Sequence, residues 1–421
     1  MRNLATLWLG GVHCVVSPLT ATRSRLSAAV VGVLAILVAS GPSSGDYTAV
    51  FEHGPASNRA NIVFMGDGYT ADQIDTTYVS HINDILGHMF GGAEDPFQRY
   101  ANFFNAYRIN VVSNESGADA PPLGVSRDTA LGASYYWDGS TERFLFVNAS
   151  KAQQVRDAAL AGSSMHPAIN LVTVNDTRYG GGGDGTFAVC AGGNSLAGEL
   201  ALHEIGHAFS GLADEYDDTN PGLVSTYSGS EPSEVNVTAN PTGAKWSRWL
   251  GYDQGSLGVV GAYEGARYYD KGLYRSSDNS KMRQLNQPFN AVSREKIIHD
   301  IYRFVDPIDS YLESSEDVLV DPENLWVDVI DPNVLNVNWY VNGKIVSAAH
   351  EKTFDLKDFG YGPGEYSVQV RAYDLTDWVR DSRGDLEQWV AWDVQLTPEP
   401  ASAGLLLCGT LAILRRRARV I

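Results

Sequence analysis

The chain has 421 residues, 44% of them hydrophobic and 10% aromatic, which is enough for two or three domains and too apolar for a disordered chain. Fifty acidic residues against 31 basic ones leave a formal net charge of −19. That balance repels phosphate backbones and sets nucleic acid aside as a partner.

Read from the N-terminus, Arg23 and Arg25 precede the apolar run LSAAVVGVLAILVAS, and small residues follow around Gly41 to Gly45. A basic flank, a short apolar run and small residues predict a secretory signal within residues 1–45, and hence export. The run is short for a spanning helix. The lead before Arg23 is long for a signal, so either the basic region is extended or translation starts further along. Of the three cysteines, Cys14 and Cys408 fall in terminal segments, leaving Cys190 alone in the mature chain. No internal disulfide is expected, and Cys190 reads as a buried apolar residue rather than a nucleophile.

Asn61 to Thr70 (NIVFMGDGYT) reads as a buried strand ending in a Gly-Asp-Gly turn, followed by a helical stretch through His81, Leu86 and Met89. Tyr107 to Ser113 (YRINVVS) and Ile169 to Asn175 (INLVTVN) read as further strands, with a short one at Phe144 to Val147. A glycine-rich stretch, Gly180 to Gly185, lacks the Lys-Ser/Thr of a phosphate loop and is expected to be a flexible loop beside a cleft. Thr186 to Cys190 is expected to return as an edge strand.

Asn194 to Tyr216 (NSLAGELALHEIGHAFSGLADEY) carries the chemistry. Leu196, Leu200, His203 and His207 recur at helical spacing and share one face. Histidines four apart can reach one tetrahedral Zn²⁺, and Glu204 beside them can take a proton from a water activated there. The apolar neighbours of the HExxH motif disfavour a solvated surface helix. In the metzincin pattern HExxHxxGxxH, a glycine turns the chain and the third ligand follows three residues later. Here Gly211 comes one residue late, and Asp214 stands three beyond it. A carboxylate is an accepted zinc ligand, so Asp214 is the expected third one, with Glu215 adjacent and competing. Asp217 and Asp218 read as solvated, with calcium a minor alternative, and neither His299 nor His350 has metal-ligand spacing. Tyr216, Tyr268, Tyr269 and Tyr274 are candidate oxyanion donors or cleft-wall residues; Trp246 and Trp249 read as packing residues.

The segment HEIGHAFSGLADEY resembles the bacterial IgA peptidase family of zinc metallopeptidases. NIVFMGDGYT, FNAYRINVVSNESGAD, KWSRWLG and EGARYYDKGLYRSSDNSKMR match in the same order, so the resemblance covers about residues 60 to 305. It implies a metzincin-like catalytic domain in which His203, His207 and Asp214 bind zinc, Glu204 is the base, and Met282 forms the methionine turn beneath the metal. Where the resemblance leads one to expect a cysteine before that methionine, the chain has Asn279-Ser280-Lys281. Endopeptidase chemistry on a polypeptide is implied; immunoglobulin as substrate is not.

Beyond it, short strands are expected at Leu325–Ile330, Leu335–Val346, Lys352–Leu356, Glu365–Tyr373 and Gln388–Leu396, with Asn342-Gly343 as a hairpin turn. These predict a small all-β sandwich of the immunoglobulin or PKD kind. The C-terminus reads Thr397-Pro-Glu-Pro-Ala, an apolar stretch to Leu414, then Arg415, Arg416, Arg417 and Arg419. This resembles the PEP-CTERM sorting signal of Gram-negative bacteria. It implies a transient transmembrane helix with its arginines on the cytoplasmic side, cleavage by an exosortase in the inner membrane, and release to the cell surface or matrix.

The expected organisation is a signal region over 1–45, an α/β zincin, metzincin-like catalytic domain over 46–310, a β-sandwich over 311–396 and a sorting signal over 397–421. The expected protein is a monomeric, exported zinc endopeptidase. Two alternatives stand beside it. One is a surface or matrix adhesion protein binding through its sandwich, with a secondary metal site; the other is a zinc hydrolase of a cell-wall amide.

Overall fold

The computed structural model describes residues 47–398 except Ala93, Asp184, 218–223 and 314–316. The expected export signal, all of the sorting signal beyond Pro398, Asp218, Cys14 and Cys408 lie outside the described residues. Among those described, no helix is long and apolar enough to cross a membrane.

The first half is built on strands β1 (Tyr47–Phe51) and β2 (Ala60–Asp67), helix α1 (Val79–Gly91), β3 (Phe104–Ile109), α2 (Ala149–Ala159), β4 (Pro167–Val174), β5 (Gly181–Gly183), β6 (Ala188–Ala191) and α3 (Ala197–Ser210). The strands form one sheet in the order β1-β3-β2-β4-β6-β5. The four inner strands run parallel, while β1 and β5 close the two edges antiparallel. Parallel strands covered on both faces read as unbroken apolar runs, and β2 is buried from end to end. Its side chains divide by alternation. Ile62 and Phe64 join the core under α1 and α3, while Val63 and Met65 join the core on the other face.

At the end of β2 the backbone turns through Gly68 at φ +69, where a Cβ would meet the Gly117 carbonyl at 2.0 Å. Asp67 is buried there and accepts hydrogen bonds from the Leu131 and Ala133 amides and the Ser113 hydroxyl. The Gly-Asp-Gly turn therefore organises the long loop that covers the second face. Val111 to Ser113, expected to continue β3, leave the sheet for this loop, where the Ser113 amide donates to the Tyr69 carbonyl.

Three elements follow α3: the sheet β7 (Val237–Thr238), β8 (Tyr263–Ala266) and β9 (Tyr269–Arg275), in the order β7-β9-β8. Helix α4 (Ala291–Tyr302) is then capped by the Asn290 side chain, which accepts from the Ser293 amide. The remaining strands are β10 (Ile308–Tyr311), β11 (Leu319–Val320), β12 (Leu325–Val329), β13 (Leu335–Val341), β14 (Lys344–Ile345), β15 (Thr353–Phe354), β16 (Gly364–Asp374) and β17 (Glu387–Leu396). They form a three-stranded sheet, β10-β12-β15, and a five-stranded one, β11-β17-β16-β13-β14. Side chains from both sheets meet at Trp339, whose ring stacks on Phe354 at 5.0 Å and on Trp392 at 5.8 Å. Asn342 and Gly343 take positive φ in the two-residue turn between β13 and β14.

The sequence boundary at 310/311 falls inside β10, and the described residues belong to one compact unit. Apolar packing runs on from α3 and α4 into the β10–β17 region. Buried Asp374 at the end of β16 accepts from Tyr100, Tyr302 and Arg99 of the first half.

Candidate metal centre

Helix α3 sets the site. None of its residues is exposed: Leu200, Ala201 and Ile205 pack into the core, and His203 and His207 lie on the cleft side. It stops at Gly211, which takes the left-handed conformation (φ +59, ψ 33) and donates its amide to the His207 carbonyl. A residue with a side chain is disfavoured in that conformation, so glycine sets the turn. The chain doubles back through Leu212 and returns Asp214 to the helix.

Three atoms converge there. His203 Nε2 lies 3.1 Å from Asp214 Oδ1, His207 Nε2 lies 3.2 Å from the same oxygen, and the two Nε2 atoms are 3.2 Å apart. For a tetrahedral ion with bonds of about 2.0–2.1 Å, neighbouring ligand atoms sit about 3.3 Å apart. The triangle therefore has the edge length of one face of such a coordination shell, and the donor set of two imidazoles and one carboxylate fits zinc.

The histidines are oriented for it. His203 Nδ1 donates to the Lys281 carbonyl at 2.9 Å and His207 Nδ1 to the Leu212 carbonyl at 2.7 Å, which leaves each Nε2 with its lone pair inward. The three groups also interact with one another. Burial lowers the pKa of His207, but the Asp214 carboxylate outweighs it and raises the imidazole to about 9. Asp214, despite burial, is held far below the usual carboxylate range by the two histidines.

Glu204 is 7% exposed, and burial raises its carboxyl pKa against the opposing influence of both histidines. Strand β5 lies directly against it. A Cβ on Gly181 would meet Glu204 Oε1 at 2.8 Å, and one on Gly183 would meet Oε2 at 3.3 Å. The glycine run is thus a strand rather than the expected loop, and β5, not β6, is the sheet edge. Its glycines allow backbone to approach a carboxylate where side chains would intrude.

Below the helix, Met282 is fully buried, and a Cβ on Gly206 would meet its sulfur at 2.7 Å. The glycine inside HEIGH makes room for Met282 between the two histidine positions. The loop before it is held by polar contacts: Ser280 Oγ donates to Glu215 Oε2 at 2.6 Å, and the buried Lys281 ammonium reaches Glu199 at 2.7 Å and Glu94 at 3.0 Å. That ammonium also occupies the second acidic group, His88, Glu94 and Glu199.

Glu215 faces away from the histidines. It is fully buried and accepts from Asn236, Asn290 and Ser280, while its amide donates to the Met282 carbonyl. Tyr268 Oη donates to Asp214 Oδ2 at 3.0 Å, and the Tyr216 and Tyr268 hydroxyls are 2.6 Å apart. Tyr269 packs on Tyr227, and Tyr274 bonds Glu264. Asp217 pairs with Arg283 at the cleft wall. His299 pairs with Asp385 and His350 with Asn338, both away from the triad. Trp246 and Trp249 pack a small core of their own. Cys190 is buried, with its thiol pKa pushed up by burial.

The cleft has two halves of about 570 and 380 Å³ on either side of Glu204. A cavity of about 690 Å³ lies elsewhere, beside α4. Its charges are satisfied internally, Arg248 with Glu295 and Asp381, and Lys296 and Arg303 with Asp300. Arg143 lines both halves of the cleft and is not among the residues expected from the sequence, where it is a lone arginine 60 positions before the motif.

Residues 48–257 match the family model described as IgA Peptidase M64, a stretch that takes in β2 to β7 with α3 and Asp214. No curated protein matches the chain. The family match supports a peptidase, a hydrolase of peptide bonds, and the mixed α/β architecture with several sheets fits a peptidase domain. It is consistent with a metal cofactor, for which the His203, His207 and Asp214 group is a candidate.

Proposed function

We propose that the protein is an exported zinc endopeptidase that cleaves peptide bonds of extracellular proteins, with His203, His207 and Asp214 as ligands and Glu204 as general base. The observation that carries this reading is the triangle of Nε2, Nε2 and Oδ1 atoms, 3.1–3.2 Å on each edge, with a buried carboxylate beside it.

Zinc, when bound, supplies Lewis-acid chemistry, lowering the pKa of a water and polarising the scissile carbonyl. Glu204 takes the proton of the attacking water and returns it to the amine that leaves. A buried carboxyl with a raised pKa suits both halves of that transfer. Lys281 and Leu212 hold the histidines in the ligating tautomer through their carbonyls. Strand β5 keeps bulk away from Glu204 by presenting only backbone.

The wider reading includes export through the segment at 1–45, exosortase sorting through 397–421 and a monomeric product. It rests on the apolar and basic patterning of the two ends. The β10–β17 region is proposed to be the immunoglobulin or PKD-like module, from its two sheets and the aromatic stack between them.

Casein zymography of the processed protein tests the activity. Cleavage should vanish with chelator and return with stoichiometric zinc; cleavage unaffected by chelator would sink the reading. Gly181→Ala gives a second check. Its methyl group would crowd Glu204 Oε1, so kcat/KM is expected to fall at least about tenfold with zinc content unchanged. Full activity in that variant would mean that the close approach of β5 has no part in catalysis.

A further inference from the structure

The two halves of the cleft share six residues: Arg143, Gly181, His203, Glu204, Tyr216 and Tyr268. The reacting atoms of a bound peptide lie beside the triad and Glu204, and these six residues line the cleft around that point. Gly181 offers backbone, His203 belongs to the metal triad and Glu204 moves the proton. That leaves the two tyrosines and Arg143 to meet the charge that forms on the carbonyl oxygen.

The tyrosine protons are already committed. The Tyr268 hydroxyl donates to Asp214 Oδ2 at 3.0 Å. With that proton spent, the 2.6 Å contact between the hydroxyls requires Tyr216 to donate to Tyr268. The Tyr216 oxygen is left as an acceptor, in the same cleft wall as the Arg143 guanidinium. Arg143 lies over the rings of Phe144 and Tyr216, 5.1 and 5.5 Å from their centroids. Its backbone carbonyl accepts from the Gly181 amide at 3.1 Å, which ties it to the strand against Glu204.

Arg143 also differs from the other cleft arginines. Arg283 pairs with Asp217 and Arg267 with Glu234, whereas Arg143 has no carboxylate partner among the described residues. A half-buried guanidinium held over two aromatic rings, with no carboxylate partner among the described residues, is a preorganised anion site.

We propose that Arg143 is a catalytic residue that donates hydrogen bonds to the oxyanion formed at the scissile carbonyl, an inference that rests on the peptidase reading above. As the water oxygen bonds to the carbonyl carbon, the C=O π pair moves onto oxygen and Glu204 takes the water's proton. When the pair returns, the C–N bond breaks and Glu204 protonates the amine. Arg143 faces the charge that exists only between those two events.

The test uses Arg143→Gln and Arg143→Lys with neutral quenched-fluorescence peptides, alongside variants of those peptides carrying an acidic residue on either side of the scissile bond. Glu204→Gln is the control. Loss of one oxyanion donor costs about 10²–10³ in kcat. That loss is expected in Arg143→Gln for every peptide, with KM changed only a few-fold and zinc content and Tm held. Affinity for a phosphinic peptide, whose anion mimics the intermediate, should fall in parallel, and free guanidinium should restore part of the rate. A rise in KM confined to acidic peptides would overturn the proposal in favour of substrate-carboxylate recognition. Loss of zinc would overturn it in favour of a structural role. If wild type shows no chelator-sensitive cleavage, or Glu204→Gln is fully active, the peptidase reading fails instead. The phosphinate affinity then still decides whether Arg143 binds the anion.

Discussion

Replacing Glu204 by glutamine should lower turnover about 10²–10⁴-fold, the range for loss of a positioned general base, while zinc content and thermal stability stay near wild type. The substitution is nearly isosteric, which matters because the side chain is closely confined. Gly181 and Gly183 leave no room for a larger group, and α3 holds the other side. An amide fits the same space but cannot accept and return a proton. Stopped assays on one peptide, with metal analysis of the same preparations, separate the two properties. A variant that kept more than about a tenth of wild-type kcat would remove Glu204 from the proton transfer. One that lost zinc would show that the carboxylate mainly stabilises the ion. Aspartate at the same position should fail nearly as badly, because shortening the side chain withdraws the carboxylate from the reacting water by about a bond length.

Residues within one regular element were legible in the sequence, and residues joined by the fold were not. The apolar runs of β2 and β4 announced buried strands because both faces of each are covered. The spacing of Leu196, Leu200, His203 and His207 announced the helix face because 3.6-residue periodicity is local. Gly211 could be read because only one backbone conformation ends a helix that way cheaply. Strand β5 reads as a loop in the sequence for an equally physical reason. Three glycines have no side chains to alternate, so nothing in them signals pairing with β6. Its place in the sheet comes from what it must avoid, the Glu204 carboxylate. The β-branched residues Val111 and Val112 suggested that β3 ran further, but Ser113 and Asp67 draw that segment into the covering loop. Arg143 had no local signal, and its importance comes from the Gly181 pairing and the tyrosine pair. The Asn279-Ser280-Lys281 loop is similar. In place of a cysteine it uses Ser280 to hold Glu215 and Lys281 to hold Glu199 and Glu94, partners 65 to 187 residues away.

Asp214 and Glu215 are neighbours in sequence with opposite surroundings, and alanine at each should produce opposite losses. Asp214→Ala removes one of three ligand atoms. Zinc affinity and activity should collapse, and the metal-free protein loses only the contacts that Asp214 makes with the two histidines and Tyr268 in the cleft. Glu215→Ala removes the acceptor for Asn236 Nδ2, Asn290 Nδ2 and Ser280 Oγ, all fully buried. Each buried donor left without a partner costs about 1–3 kcal/mol, so a loss of several kcal/mol is expected from a domain whose total stability is about 5–15 kcal/mol. The site should suffer only through unfolding. Asn236 ties Glu215 to the backbone of Ala213, and Ser280 ties it to the loop bearing Met282. Cutting these ties weakens the buried core on which both segments rest and touches no ligand atom. Glu215→Gln, which keeps one acceptor oxygen, should fall between wild type and alanine, and it provides a folded sample if alanine does not. Chemical denaturation of the metal-free forms and zinc titration of the folded ones measure both quantities. Zinc retained by Asp214→Ala but lost from folded Glu215→Gln would reverse the ligand assignment. Equal loss of zinc in both variants without a change in stability would mean that Glu215 acts on the metal site directly and not through folding.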